Sequence, residues 1–200
     1  MLSHNKQPLR RAIAAALILA LAGPALAHSG EGVVGGFVSG FLHPLLGWDH
    51  VIAMVAVGLW GALLGRPAIW VLPVVFPLVM AFGGALGVLG VPLPAVETGI
   101  ALSAIVLGAM VAFAARPPLA VAAVVVGAFA IFHGHAHGTE LPRAASPVAY
   151  SLGFVIATGL LHASGIALSL VTHWRHGRTL VRACGAGIAL AGVGFLVHAW

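Results

Sequence analysis

The sequence predicts an all-α fold, a polytopic transmembrane helical bundle, and three observations predict it. Of 200 residues, 61% are hydrophobic and only 6% are charged, an apolar share far above that of a soluble domain. The apolar residues fall, after an N-terminal segment, into about six stretches of roughly 20, the length that crosses a hydrocarbon core about 30 Å thick. Glycine is abundant at 27 residues, and small residues let helix backbones approach closely inside a membrane.

The N-terminus has its own logic. Lys6, Arg10 and Arg11 precede an apolar run over 12–21, and Ala25, Leu26 and Ala27 supply a small-x-small cleavage pattern. This reads as a bacterial signal peptide over 1–27, followed by a single transmembrane domain over 28–200. An uncleaved first helix is the alternative, and both readings leave residue 28 outside the cytoplasm.

Helices are then expected at roughly 33–64, 68–90, 95–115, 118–138, 147–171 and 179–200. They are separated by Arg66-Pro67, Pro92-x-Pro94, Arg116-Pro117-Pro118, the stretch 138–147 and the basic segment 175–178, all turn or breaker signals. The first segment is too long for one upright helix, since about 32 residues at 1.5 Å each span roughly 48 Å. Pro44 lies inside it, after Gly32, Gly36 and Gly40 at every fourth position. It therefore reads equally as one kinked helix or as two pieces, broken or re-entrant at Pro44, with the glycine face against a neighbour.

Charge orients the bundle. With residue 28 outside, the inner loops hold Arg66, Arg116, Arg175, Arg178 and Arg182, while the outer loops hold Glu97, Glu140 and Arg143. That is the positive-inside pattern of a bacterial inner-membrane protein, with the mature N-terminus and the C-terminus both periplasmic. Nine basic and four acidic residues are too sparse for a nucleic-acid footprint. No nucleotide-binding motif is present, so no ATP-binding domain is expected in this chain. Cys184 is the only cysteine, which rules out an intrachain disulfide.

Two polar clusters interrupt the apolar sequence. The first is HPLLGWDH, residues 43–50. His43 and His50 are seven apart, within about 20° of one face but roughly 10 Å apart along a regular helix. One ion reaches both only if the backbone bends at Pro44 or partner helices close the site. Asp49 is turned by about 100° from His50, and a carboxylate in lipid marks a pairing partner or an ion path. The second cluster is IFHGHAHGTE, residues 131–140. His133 and His137 are i,i+4, Glu140 falls on the same face, and His135 points largely away. The glutamate of HExxH is missing, so a zinc-protease reading fails.

Both clusters lie in the outer halves of their helices, so they meet at similar depth. Imidazoles with carboxylates and no sulfur suit a borderline divalent ion, Ni²⁺, Co²⁺ or Zn²⁺, as the substrate, rather than Mg²⁺, Ca²⁺ or Cu(I). His162, alone in GLLHASG, reads as a path residue or a packing histidine. His28 would offer its imidazole and a new α-amine if cleavage occurs. Three other classes fit some of these residues: a haem-binding membrane protein, a metal sensor or chaperone, and a metal-dependent intramembrane enzyme.

At these residues the chain strongly resembles the HupE/UreJ family of hydrogenase and urease accessory permeases. The family pattern of histidine, five residues and Asp-His matches His43, Asp49 and His50. A second pattern matches Phe132, His133, Gly134, Ala136, His137, Gly138 and Glu140, and a third segment matches at His162. The resemblance implies a non-enzymatic inner-membrane permease that brings nickel, sometimes cobalt, inward from the periplasm for hydrogenase or urease maturation. The mechanism we expect from these positions is capture by His133, His137 and Glu140 together with His43, handover towards Asp49 and His50, and release inward past or near His162.

Overall fold

The structure, a computed structural model, describes residues 33–140 and 146–198. The signal segment expected over 1–27, and with it His28 and Gly32, lies outside the described residues. Seven α-helices follow in order: α1 Val33–Leu46, α2 Trp48–Leu64, α3 Ala68–Val88, α4 Val96–Ala112, α5 Leu119–Thr139, α6 Pro147–Ser169 and α7 Gly177–His198, with a 3₁₀ turn Leu170–His173 after α6. The chain is a polytopic membrane bundle. α3, α5, α6 with its 3₁₀ extension, and α7 are each long and apolar enough to cross a membrane, and the bent pair α1 and α2 makes a fifth span if taken as one.

Two expectations are corrected. The first segment is indeed two pieces, bent by 79°, but the break falls at Gly47 and not at Pro44. Pro44 stays inside α1, because a proline removes one backbone bond and bends a helix without having to end it. Gly47 has extended backbone, φ −89° and ψ 109°, which ends α1 and turns the chain into α2. A Cβ there would stand 2.9 Å from Asp49 Oδ1. The second correction concerns length. α4, expected over 95–115, has 17 residues, about 26 Å at 1.5 Å per residue. Left-handed backbone at Ala95 and Ala114, φ 55° and 49°, stops it at both ends. At the second stop Ala115 N–H bonds back to the Met110 carbonyl and Ala114 N–H to Val111, the paired bonds of a Schellman ending.

Glycines set which helices touch. α3 packs on α5, where a Cβ at Gly134 would collide with the Met80 carbonyl and one at Gly138 with the Gly84 carbonyl. α1 packs on α6, and a Cβ at Gly40 or Gly153 would strike the backbone of Tyr150 or Phe37. α2 and α6 meet at Gly58 and Gly165, and α4 and α7 at Gly108 and Gly185. Backbones this close gain the packing and dipole contacts that hold helices together where lipid supplies no hydrophobic drive. α2 runs through the middle, with Met54, Val57, Leu59 and Trp60 buried. The Trp60 indole donates to the Ala115 carbonyl at 2.9 Å. Trp70, Leu78, Phe82 and Phe113 face outward, as lipid-facing side chains do.

Candidate metal centre

The end of α1, the first turn of α2, the first turns of α4 and the last turns of α5 converge at one end of the bundle. The break at Gly47 is what makes this possible. It turns α1 away from the α2 axis, so that His43 and His50 stand on different helices and both reach α5. The His43 and His137 rings lie 4.7 Å apart, the His50 and His137 rings 4.3 Å, and the His50 and His133 rings 4.5 Å.

Two ligand groups share His137. The outer group is His43, His137 and Glu140, whose ligand atoms all lie within 4.8 Å of one another; His43 Nε2 stands 3.6 Å from Glu140 Oε2. The inner group is His50, His133 and His137. Nε2 of His50 lies 3.0 Å from Nδ1 of His133 and 2.5 Å from Nε2 of His137. Burial increases along this order. The side chains of Glu140 and His43 are 58% and 33% exposed, whereas His50 and His137 are buried and His133 is fully so.

Proton positions follow from the partners. Ser103 Oγ donates its single proton to the Ile100 carbonyl at 2.6 Å. It can therefore only accept from Nε2–H of His133, 2.8 Å away. That leaves Nδ1 as the lone-pair nitrogen of His133, and Nδ1 faces His50. The Asp49 carboxylate accepts from the backbone N–H of His50 at 2.8 Å and lies 3.3 Å from its Nδ1. A carboxylate there holds the ring proton on Nδ1 and turns the Nε2 lone pair inward. Two lone pairs face each other beside a third imidazole nitrogen. They repel unless a cation sits among them, so the donor set fits a borderline divalent ion.

A cavity of about 270 Å³ opens onto the group. It is lined by His43, Gly47, Asp49, His50, Glu97, Ile100, His137 and Glu140 among others. An adjoining cavity of about 360 Å³ shares Asp49 and Glu97. Every acidic residue among the described ones thus borders one space.

The profile described as HupE / UreJ protein matches residues 15–195. The chain belongs to the HupE/UreJ family. It is 46% identical over 181 residues to "Protein HupE" of Rhizobium leguminosarum bv. viciae, covering 90% of this chain and 95% of that protein. No solved structure matches the chain. As a HupE/UreJ protein it is a membrane permease and not an enzyme, with a His/His/Glu cluster suited to a divalent metal.

Of the residues singled out from sequence, His43, Asp49, His50, His133, His137 and Glu140 lie together. His135 does not join them: it is buried on the other side of α5, where its Nε2–H donates to the Val91 carbonyl at 2.8 Å. His162 is buried deeper, separated from His133 by Phe76, whose ring is 5.6 Å from one and 5.5 Å from the other. Two neighbours of this HupE/UreJ site went unread in sequence. Glu97 reads in sequence only as a loop charge, although its rarity as one of four acidic residues is a usable signal. Ser103 carries no such signal, because a serine in an apolar helix commonly bonds only its own backbone.

Proposed function

We propose that this chain carries a divalent transition metal, nickel in the first place, across the bacterial inner membrane from periplasm to cytoplasm for hydrogenase or urease maturation. The observation that carries the reading is the cavity of about 270 Å³, which gathers three carboxylates and three imidazoles in an otherwise apolar bundle. Carboxylates at the mouth attract a hydrated cation. Imidazoles further in replace its water with nitrogen ligands as burial increases, which suits Ni²⁺ or Co²⁺ over harder ions. In this reading Glu140, His43 and His137 receive the ion, and His50 and His133 take it deeper. Asp49 acts through His50, by holding its ring proton. The orientation, with the site facing the periplasm, rests on the loop charges, and residues 1–27 are removed as a signal peptide.

The haem reading is disfavoured by the same geometry, since imidazoles in mutual contact leave no space for a porphyrin plane between them. The decisive experiment is uptake of radiolabelled Ni²⁺ into proteoliposomes, with Co²⁺ and Zn²⁺ as competitors. The wild type is expected to accumulate Ni²⁺, and Asp49→Asn and His50→Ala to lose uptake. Wild-type rates in both variants would sink the proposal. Binding without uptake would assign the chain to the sensor or chaperone class instead.

A further inference from the structure

Between α3 and α6, with α5 as its floor, the bundle leaves a lateral groove of about 470 Å³. It exists because α3 packs tightly on α5 and only lightly on α6. Met80, Ala81, Ala85, Phe154 and Val155 are among its walls. Ala81, Ala85 and Val155 are exposed, so the mouth opens sideways onto lipid. Two polar groups border this apolar space. Tyr150 is 3% exposed and His137 is 8% exposed, and both line the groove. Neither the Tyr150 hydroxyl nor Nδ1 of His137 has a hydrogen-bond partner. The hydroxyls of Ser103 and Thr139 donate to carbonyls three residues back in their own helices. A tyrosine hydroxyl, held off its helix by the ring, cannot do this, and its partner must come from elsewhere.

Both orphans are donors. The phenol carries one O–H, and with Nε2 of His137 turned toward His50 in the ligand cluster its ring proton is on Nδ1. A metal-ligating imidazole ordinarily gives that proton to an acceptor, and buried donors left unpaired cost free energy. Water would satisfy the donors and leave the apolar length of the groove unfilled. That length has a direction. Tyr150 and Ser151 lie in the first two turns of α6, at the end of the bundle that carries the metal cluster, whereas Pro77, Met80 and Val155 line the deeper part. From Val88 to Pro77 the wall runs eleven residues, about 17 Å at 1.5 Å each. This is close to one leaflet's half of a hydrocarbon core about 30 Å thick. Acceptor oxygens at one end and a chain one leaflet long are the two parts of an ester-linked membrane lipid.

We infer that the groove binds a diacyl phospholipid of the adjoining leaflet, with one acyl chain along Met80, Ala85 and Phe154 and its ester carbonyls accepting from Tyr150 and His137. The lipid thereby holds the ring proton of His137 on the nitrogen turned away from the metal cluster. The His137 part rests on the transport reading above, and the Tyr150 part does not.

The test offers purified protein in detergent an equimolar mixture of dioleoyl phosphatidylethanolamine and its diether analogue, which keeps the chains and headgroup but has no carbonyl. Lipid retained after gel filtration is measured by mass spectrometry. The wild type is expected to retain the diester over the diether by roughly 3- to 10-fold, the affinity that a single hydrogen bond contributes. Tyr150→Phe keeps the ring and should retain lipid with that preference reduced. Ala81→Trp, which fills the groove from its exposed wall, should retain neither lipid, while Leu190→Trp on the exposed face of α7 retains both as the wild type does. A wild type without retained lipid or without preference for the diester would overturn the proposal, as would an undiminished preference in Tyr150→Phe. Wild-type retention by Ala81→Trp would also overturn it, and a change from dimer to monomer in that variant without loss of lipid would give the groove to a second copy of the chain. Retention is measured without uptake, so a failure of the transport reading leaves the Tyr150 result standing.

Discussion

Ser103 and Asp49 decide which imidazole nitrogens turn lone pairs into the His50–His133–His137 cluster, and this is chemistry at the scale of single protons. Ser103 has spent its proton on Ile100, so it fixes the Nε2–H tautomer of His133. Ser103→Ala removes that constraint, and Ni²⁺ affinity is expected to fall roughly 10- to 100-fold. Ser103→Thr, which keeps the hydroxyl, should bind as the wild type in an equilibrium titration of purified protein. A second prediction concerns pH. Imidazoles ligate metal only when neutral, and an ordinary imidazole takes up its proton near pH 6.5. Acidification adds protons to the ligands and displaces the ion, so uptake should fall below about pH 6. A flat uptake curve from about pH 8 to 5 would exclude histidine ligation. Asp49 stands out in sequence as a carboxylate among apolar residues. Its contact with the His50 ring does not, because that depends on a 3.3 Å distance set by the start of α2.

At the scale of the element, the helices are matched by their glycines. Gly36 and Gly40 were readable as a packing face, but nothing in their spacing named α6 as the neighbour. The seam between α3 and α5 carries the site, since it sets where His133 and His137 sit. Gly134→Ala would drive a methyl group into the Met80 carbonyl, and overpacking of this kind costs about 1–3 kcal/mol. A lowered thermal midpoint in detergent, together with weakened Ni²⁺ binding, is the expected outcome. Gly187 on α7 meets nothing within 4 Å. Gly187→Ala should leave stability unchanged or raise it by up to about 1 kcal/mol, the helix preference of alanine over glycine. Equal effects of the two substitutions would show that the seam is not close-packed. The break at Gly47 belongs to this scale too. Proline attracts attention as a helix breaker, yet the helix breaks at the glycine three positions later, where the backbone is extended.

For the whole molecule, orientation is the property that links site to function. In a Cys184→Ser background, a cysteine at Arg66 is expected to react with an impermeant thiol reagent only from the cytoplasmic side, and one at Leu93 only from the periplasmic side. The opposite pattern would turn the metal cavity toward the cytoplasm and make the chain an exporter. By itself the sequence determined the bundle, the helix order and the two polar clusters. Those follow from apolar stretch length, loop charge and residue chemistry, all of which act along the chain. The tertiary structure alone decided that the break lies at Gly47, that α4 is short, and that Glu97 and Ser103 border the site. That Glu97 and Ser103 border the site depends on which helix faces which, and this is settled by close backbone contacts at glycines such as Gly134 and Gly138.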